Sequence, residues 1–298
     1  MKIGDVVIIG AGPAGISTAI QLRRYNIEPL LLEKSAVGGL LRNANLVENY
    51  PGFPEGIIGT KLVSVFSKHL ERAGVKVCFE EVLELDFTNG KFTIRTNKQT
   101  ITSRMVVMAT GTKPKKIKNL SIPADIEPYV LYEIYPIISE VGKSIAIIGA
   151  GDAAFDYALN LASHNKVTIL NRGSKIKCLP LLWDRAVKND NISYEENTIV
   201  MSIEKNNNGL ELHCTNKNGD KKINCSYLVI AIGREPNLDF ISSNLKPNID
   251  KLQRSKLLYI IGDIKNDKYR QTSIAVGEGT KAAMEINEKL KLIHEGTC

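Results

Sequence analysis

Three glycines near the start of the chain have the spacing of a phosphate-binding turn. Gly10, Gly12 and Gly15 follow an apolar run at 6–9, and Glu33 stands at the end of the next apolar run. Glycines at these positions allow a tight turn, let a pyrophosphate approach the backbone, and let a helix pack closely on a strand. The helix then presents its first N–H groups to the phosphates, while the carboxylate can bind ribose hydroxyls. This stretch therefore predicts a dinucleotide site.

The same pattern occurs again in the middle of the chain. Gly149, Gly151 and Ala154 form a GxGxxA string after a second apolar run at 143–149. Asp156 follows within the predicted helix, where a negative charge complements the helix dipole. We interpret the repeat as a second dinucleotide fold, because the same strand, turn and helix order recurs.

The end of the strand after the second fingerprint predicts which nucleotide binds there. Residues 167–170 are followed by Asn171 and Arg172, and not by an acid. No carboxylate would repel a 2′-phosphate at this point, and Arg172 with Lys175 could pair with one. The sequence therefore favours NADPH, with NADH possible. The alternative is that Arg172 is only a solvated charge at a strand end.

The remaining patterns predict the elements that position these residues. Residues 35–59 are rich in Gly, Pro and Asn and predict an ordered loop, and 61–73 have the apolar spacing of an amphipathic helix. Two Asn-Gly pairs, at 89–90 and 208–209, predict hairpin turns. A strand at 257–261 and a helix at about 273–292 predict that the chain returns to its first domain.

Taken together, these elements predict an α/β protein with two Rossmann-like dinucleotide-binding domains. The second domain is inserted into the first. The predicted limits are 1–113 for the first part of the first domain, 114–240 for the second domain, and 241–298 for the second part of the first domain.

Composition excludes several other classes of protein. The chain has 298 residues, 43% of them hydrophobic, which suits a globular protein large enough for two domains. No apolar run approaches the roughly 18 to 20 residues of a membrane span. Five scattered cysteines without a CxxC pair and four isolated histidines give no metal-binding pattern, so we assign no metal and expect a reducing, cytoplasmic compartment.

The net charge of +7 predicts attraction to acidic partners, although a solvated basic surface explains it equally simply. The densest basic run, KPKKIK at 113–118, contains no aromatic residue, so we do not expect nucleic-acid binding.

Several stretches together resemble one family over nearly the whole chain, the low-molecular-weight thioredoxin reductase branch of the two-domain flavoprotein reductases. The matching stretches are GAGPAG at 10–15, VENYPGFPEGIIG at 47–59, ATG at 109–111, IGAGDAA at 148–154, AIGREPN at 231–237 and IGDIKNDKYRQTSIAVGEG at 261–279. The resemblance implies two cofactors, FAD and NADPH, and hydride transfer from nicotinamide to flavin. It also implies a homodimer.

The resemblance assigns the cofactor residues one by one. Those implied to bind FAD are Gly10, Gly12, Pro13, Ala14, Gly15, Glu33, Lys34, Gly39, Leu40, Asn49, Gly111, Gly262, Asp263, Arg270, Gln271 and Thr272. Those implied to bind the nicotinamide nucleotide are Gly149, Gly151, Asp152, Ala153 and Ala154, to which Asn171, Arg172 and Lys175 are added by the strand-end pattern.

One departure from the family bears directly on function. Thioredoxin reductases carry a redox CxxC after a Val-x-Tyr, whereas here Glu133 and Pro136 occupy the positions of the two cysteines. Neither side chain can pass electrons, so the chain resembles the thioredoxin-reductase-like ferredoxin or flavodoxin reductases. The expected acceptor is then a small acidic one-electron carrier that meets the flavin directly. Glu133 is a candidate catalytic residue that could take or give a proton there, or else only a surface acid.

Two other functions stay open. A disulfide reductase could use Cys298 as a shuttle thiol, although this cysteine has no resolving partner nearby in the sequence. Alternatively, the protein binds flavin without catalysis and acts in regulation.

Overall fold

The computed structural model describes residues 3–118 and 120–296, and these divide into two compact units. The first unit contains 3–42, 48–113 and 235–296. The second contains 43–47 and 114–234, with residue 119 outside the described part. Cys298, the candidate shuttle thiol, also lies outside the described residues.

The helices carry the labels used below. In chain order they are α1 (Pro13–Arg24), α2 (Gly59–Arg72), α3 (Asp152–Leu161), α4 (Pro180–Val187), α5 (Ile249–Arg254) and α6 (Thr272–His294).

The strands are numbered in the same way. They are β1 (Ile3–Ile9), β2 (Leu30–Glu33), β3 (Leu46–Val47), β4 (Ile57–Ile58), β5 (Val77–Phe79), β6 (Val82–Thr88), β7 (Lys91–Thr96), β8 (Thr100–Met108), β9 (Thr112–Pro114), β10 (Val130–Leu131), β11 (Ser144–Ile148), β12 (Lys166–Leu170), β13 (Ile192–Glu195), β14 (Ile199–Asn206), β15 (Gly209–Asn216), β16 (Gly219–Cys225), β17 (Tyr227–Ile230), β18 (Arg234–Pro236) and β19 (Leu258–Ile260).

The first unit is built on a mixed sheet whose central strands are parallel. The strand order is β5-β2-β1-β8-β7-β6, and β19 also pairs with β8 in parallel. Strand β1 lies between β2 and β8, parallel to both, and its residues 6–9 are buried on both faces. A continuous apolar run is what such a strand requires. The first glycine turn, at 10–15, therefore leaves the carboxyl end of a central strand.

The helices of the first unit bury one apolar stripe each. In α2, Leu62, Phe66 and Leu70 are spaced by four residues and are all buried. Helix α1 begins at Pro13, where the missing backbone N–H is harmless and the fixed φ suits a helix. Small residues on α1 and α6 let these two helices pack closely, so that Ser17 Oγ lies 2.8 Å from Thr280 Oγ1.

The second unit contains a parallel five-stranded sheet in the order β10-β17-β11-β12-β13. An antiparallel meander, β14-β15-β16, accompanies it. Alternate residues of β11, such as Ile145 and Ile147, pack with Phe155 of α3 in one core cluster. The second fingerprint leaves the carboxyl end of β11, as the first leaves that of β1.

The structure confirms the predicted fold class and most of the predicted elements. The first hairpin turn is confirmed, with φ of 51° at Asn89 and 76° at Gly90, both in the left-handed region. The prediction of loop alone over 35–59 is wrong in part, because a 3-10 helix at Gly39–Asn43 and the short pair β3 and β4 lie within it. Helices α4 and α5 were not predicted, since each is too short to show a clear period.

No helix among the described residues is long and apolar enough to cross a membrane.

Candidate functional site

The first glycine turn is packed tightly on one side and open on the other. The Gly10 N–H donates to the Leu32 carbonyl at 2.8 Å, and an added Cβ on Gly15 would overlap the Gly10 carbonyl oxygen. A Cβ on Gly12, in contrast, would meet no atom within 4 Å. Helix α1 also begins without a side-chain cap, so its first N–H groups are not satisfied by a neighbouring side chain. This open space beside a helix N-terminus fits a pyrophosphate.

Glu33 lies at the end of β2, beside this turn. Its Oε2 accepts a hydrogen bond from the Ala11 N–H at 2.8 Å, and its Oε1 accepts one from the Ser35 N–H at 3.0 Å. The side chain is 9% exposed. Each carboxylate oxygen keeps further acceptor capacity, so a ribose hydroxyl could still donate to it.

Two other predicted FAD residues, Gly39 and Gly262, lie close to the start of α1. An ideal Cβ on Gly39 would lie 3.4 Å from the Gly12 Cα, and one on Gly262 would lie 3.0 Å from the Ala14 Cβ. Gly39 and Gly262 have φ of 54° and 75°, which glycine adopts without strain. The fold therefore gathers residues far apart in sequence around one helix N-terminus.

The remaining predicted FAD residues of the first unit fall into three groups. The Asn49 Nδ2 donates to Gln271 Oε1 at 2.8 Å, which joins the 48–58 loop to the start of α6 at Thr272. The Arg270 Nε donates to the Asn266 carbonyl at 3.1 Å. The others are Pro13, which opens α1, Leu40 in the 3-10 helix, Asp263 in a second 3-10 turn, exposed Lys34, and Gly111, whose carbonyl accepts from the Asn237 N–H at 3.2 Å.

The second glycine turn repeats this geometry in the second unit. The Gly149 N–H donates to the Leu170 carbonyl at 3.0 Å, and an added Cβ there would overlap the Ala231 carbonyl oxygen. Gly151, like Gly12, has open space around its Cβ position. Ala154 is buried under the turn, while Ala153 and Asp152 are exposed beside it.

Asn171 holds the loop that follows β12. Its Nδ2 donates to the Lys175 carbonyl at 3.2 Å and contacts the Tyr194 hydroxyl at 2.8 Å, and its Oδ1 accepts from the Gly173 N–H at 3.2 Å. Asn171 is 7% exposed. The Asn171 side-chain amide therefore holds the backbone of the loop 171–175, on which Arg172 and Lys175 lie.

Three cations stand exposed on this loop, Arg172, Lys175 and Lys177. None of them forms an ion pair with another described residue. Sequence reasoning missed Lys177, whose N–H donates to the Ala150 carbonyl at 2.9 Å, directly beside the glycine turn. Asp152 fixes the same loop, since its Oδ1 accepts from the Leu179 N–H at 2.8 Å. The position of Lys177 beside the glycine turn depends on a contact between distant segments, so residue spacing along the chain does not predict it.

Glu133 is held by other residues of the second unit. Its Oε1 lies 3.3 Å from an Arg234 guanidinium nitrogen, and its Oε2 accepts from the Asn43 Nδ2 at 3.4 Å. The Asn43 Oδ1 in turn accepts from the Tyr135 N–H at 2.9 Å. Glu133 therefore belongs to a polar network within the second unit, and its catalytic role stays a prediction.

Asp156 is a second carboxylate beside the same segment. Its Oδ2 accepts a hydrogen bond from the Asn45 N–H at 3.0 Å. Burial raises the pKa of the Asp156 carboxyl from 3.8 to about 6, the Asn45 N–H opposes the rise, and the charge of Asp152 adds to it. The interpretation of Asp156 as a helix-dipole charge alone is therefore incomplete.

The described cysteines form no redox pair. Cys214 and Cys225 are buried, and Cys78 and Cys178 are half-buried. Burial raises the pKa of the Cys178, Cys214 and Cys225 thiols, that of Cys225 to about 12. A raised pKa keeps a thiol protonated and unreactive. All four are free, so the described part of the chain offers no redox disulfide.

One cluster in the described residues has metal-ligand types, on the meander of the second unit. It consists of Glu204, Glu211 and His213. The Lys222 ammonium lies 2.6 Å from Glu211 Oε1 and already balances that charge. This cluster is an ion-pair network in which Glu204 is exposed and Glu211 and His213 are half-buried, and we assign no metal to it.

Comparison with known proteins agrees with two glycine turns of the dinucleotide-binding type. Residues 4–279 match the pyridine nucleotide-disulphide oxidoreductase family. The chain is 31% identical to thioredoxin reductase 2 of Arabidopsis thaliana, with 97% of this chain and 82% of that protein covered. The thioredoxin reductase structure from Lactococcus lactis has a TM-score of 0.83 at 28% identity, covering 97% of this chain and 99% of that one. The T. acidophilum thioredoxin reductase structure has a TM-score of 0.84 at 27% identity, covering 98% and 100%.

Proposed function

Because the chain belongs to the pyridine nucleotide-disulphide oxidoreductase family, we propose that it is an NADPH-dependent FAD oxidoreductase that passes electrons directly to an external acceptor. The thioredoxin reductases of this family use FAD and NADPH, and both glycine turns offer the open space that these cofactors need. When bound, NADPH supplies a hydride and FAD accepts it and can release electrons singly or in pairs.

The residues of the chain divide this work between them. In the first unit, the α1 N-terminus, Glu33 and the segment around Asp263 would bind the pyrophosphate, ribose and ribityl groups of FAD. In the second unit, the α3 N-terminus would bind the pyrophosphate of NADPH, and Arg172 with Lys175 would bind its 2′-phosphate. Guanidinium and ammonium groups suit a phosphate because their hydrogen bonds to it are charge-assisted. NADH would lack that contact, which supports NADPH as the preferred donor.

The observation that carries the proposal is the identity of residues 133 and 136. Glu133 and Pro136 replace the two cysteines of the dithiol, and Glu133 is paired with Arg234. Neither residue can form a disulfide, so these two positions give reducing equivalents no thiol to reach. The acceptor must then reach the flavin itself, and a small acidic electron carrier of the ferredoxin or flavodoxin type suits a chain of net charge +7. Glu133 could serve as a proton donor or acceptor for that step.

The relatives favour a second function, disulfide reduction. Those quoted above are named thioredoxin reductases, and none of their names refers to a one-electron carrier. By name, therefore, they support the disulfide-reductase alternative more strongly than the carrier interpretation. Cys298 is the thiol that such an activity would use. The third possibility, flavin binding without catalysis, predicts that NADPH leaves the flavin oxidised.

One anaerobic experiment separates these functions. The FAD-loaded protein is mixed with NADPH and flavin bleaching is followed, and then ferricyanide, a ferredoxin, a flavodoxin or oxidised thioredoxin is added in separate reactions. We expect bleaching, fast reduction of the one-electron acceptors, and no reduction of thioredoxin. Flavin that stays oxidised would support the non-catalytic alternative.

A matched variant assigns any thioredoxin reduction that is observed. If Cys298→Ser abolishes it, the tail thiol is the shuttle and the disulfide-reductase function replaces our proposal. If it persists in Cys298→Ser, a disulfide is reduced without the tail thiol, and the one-electron interpretation is wrong.

We further propose a cytoplasmic homodimer, because the reductases that the chain resembles are dimers and its cysteines show no disulfide pattern. Sedimentation at micromolar protein concentration tests the assembly. A monomer mass there would end this part of the proposal.

A further inference from the structure

One carboxylate of α6 collects three donors from a single turn of the first unit. The Glu278 Oε2 accepts from the Gly262 N–H at 2.6 Å and from the Asn266 Nδ2 at 3.0 Å, and the Lys265 Nζ lies 3.3 Å from Oε1. All three donors belong to the turn 262–266 that follows β19. Charge-assisted hydrogen bonds of this kind are stronger than neutral ones.

The turn needs such an acceptor. Gly262 is buried, and its N–H would otherwise be a buried donor without a partner. The turn closes on itself through hydrogen bonds from the Lys265 and Asn266 N–H groups to the Gly262 carbonyl, at 3.0 and 3.3 Å. Glu278 therefore fixes both ends of the turn to α6.

The turn carries predicted flavin ligands but Glu278 is not one of them. Asp263 lies between two of the donors that Glu278 holds. Arg270 is tied to the same turn, because its Nε donates to the Asn266 carbonyl at 3.1 Å. A change at Glu278 would therefore move both Asp263 and Arg270 without removing either.

The turn also touches the phosphate-binding helix. A Cβ on Gly262 would lie 3.0 Å from the Ala14 Cβ in the first turn of α1. Glu278 is adjacent in sequence to Gly279, and an added Cβ on Gly279 would overlap the Ala14 carbonyl oxygen. The Glu278 carboxylate therefore holds the turn 262–266 at a place where the turn and α6 both pack closely against Ala14 of α1, which leaves the turn little space to shift.

We propose that Glu278 is a positioning residue of the flavin site, whose carboxylate holds the turn 262–266 so that Asp263 and Arg270 face FAD. The proposal rests on FAD binding by this family and not on the identity of the electron acceptor. It assigns Glu278 no contact with substrate or cofactor.

The test compares Glu278→Gln with Glu285→Gln on the same helix. The glutamine at 278 keeps the size of the side chain but removes its charge, and its amide group would oppose one of the three donors. Glu285 is a fair control, because its side chain is 30% exposed against 21% for Glu278 and it pairs only with Lys281, at 3.9 Å, among the ion pairs of the described residues. Both variants lose one negative charge from α6.

The measurement is FAD binding to the FAD-free protein, followed by quenching of flavin fluorescence. We expect Glu278→Gln to raise the Kd for FAD at least tenfold, about 1.4 kcal/mol, and to alter the visible absorption spectrum of the bound flavin. Glu285→Gln should change neither. Unaltered Kd and spectrum in Glu278→Gln would overturn the proposal, as would a lower unfolding temperature of the FAD-free protein without any change in FAD binding.

A second variant covers the case in which Glu278→Gln does not fold. Asn266→Ala removes one donor to the same carboxylate from a half-buried position. It should weaken FAD binding in the same direction, at least twofold, and unchanged binding would overturn the proposal. Because the readout is FAD affinity, failure here leaves the acceptor experiments unaffected, and failure of those leaves this result unaffected.

Discussion

Replacing Asp156 with asparagine should stabilise the second unit in a way that depends on pH. The Asp156 carboxyl has a pKa of about 6 in the folded protein against an ordinary 3.8, mainly because it is buried. The folded state therefore binds this proton more tightly than the unfolded state does. The contribution of Asp156 to stability is therefore greatest below pH 3.8 and is lost as the pH rises from there through about 6, where the carboxyl ionises in the folded protein too.

The size of the effect follows from the shift. The difference between a pKa of 3.8 and one of about 6 corresponds to about 3 kcal/mol. Asp156 keeps part of its surface exposed, so we expect about 1 to 3 kcal/mol of stabilisation at pH 7.5 for Asp156→Asn. The asparagine Oδ1 can still accept the hydrogen bond from the Asn45 N–H, so the geometry is kept. At pH 5.0 the gain should shrink to about half, because the wild-type carboxyl is then largely neutral in the folded state.

Urea unfolding measures this directly, since the chain has one tryptophan and it lies in the second unit. The Trp183 ring centroid is 5.7 Å from that of Phe155, the residue before Asp156. Fluorescence of Trp183 at pH 5.0 and 7.5 gives the free energy of unfolding for wild type and variant. Asp190→Asn is the control, because Asp190 is exposed and should shift stability by less than about 0.5 kcal/mol at both pH values.

Two results would refute the reasoning. An equal gain at both pH values would mean that the asparagine stabilises through packing and not by removing a charge. A loss of stability at pH 7.5 would mean that the ionised carboxylate is itself needed by the fold.

Three further predictions concern the two cofactor sites and the packing of α1 on α6. Arg172→Ala should raise the KM for NADPH about tenfold and that for NADH less than twofold, because only the 2′-phosphate of NADPH loses a charge-assisted hydrogen bond. An equal rise in both KM values would contradict the assignment of Arg172 to the 2′-phosphate. Gly12→Ala should weaken FAD binding at least tenfold with little change in the unfolding temperature of the FAD-free protein. Gly15→Ala should lower that temperature, because its Cβ would overlap the Gly10 carbonyl oxygen. In urea unfolding, Gly279→Ala should lower the free energy of unfolding by about 1 to 3 kcal/mol. Gly277→Ala should raise it by about 0.5 to 1 kcal/mol, because the added Cβ meets no atom within 4 Å. Equal effects of the two variants would contradict the close packing of α1 on α6.

The sequence predicted those parts of the fold whose cause is local. Glycine spacing after a buried strand depends on residues that are neighbours in the chain, so both fingerprints and the Asn89–Gly90 hairpin could be read directly. Helix α2 was predictable for the same reason, since Leu62 and Phe66 lie one turn apart. Element bounds shifted by a residue or two, because the last turns of helices depend on what packs against them.

The parts that could not be predicted depend on contacts between distant segments. Nothing near Lys177 in the sequence indicates that its N–H bonds to the Ala150 carbonyl. The same holds for Glu278, whose partners lie 12 to 16 residues away, and for Asp156, whose burial next to Asn45 depends on a segment 111 residues earlier. A carboxylate in a sequence has no visible partner, and its pKa is set only after folding.

The distribution of intact and altered features argues for electron transfer over passive flavin binding. A protein that only holds FAD needs the open space at Gly12, but it has no use for the same open space at Gly151 or for the exposed cations Arg172 and Lys175. Both nucleotide frameworks keep the packed and open glycine positions that a dinucleotide requires. The departure that bears on electron transfer is at Glu133 and Pro136, the positions of the dithiol by the resemblance, and there Glu133 is paired with Arg234. Residues 133 and 136 carry no thiol, whereas the framework that would accept hydride is intact, so we expect the acceptor to be the step at which this chain differs from the thioredoxin reductases it resembles.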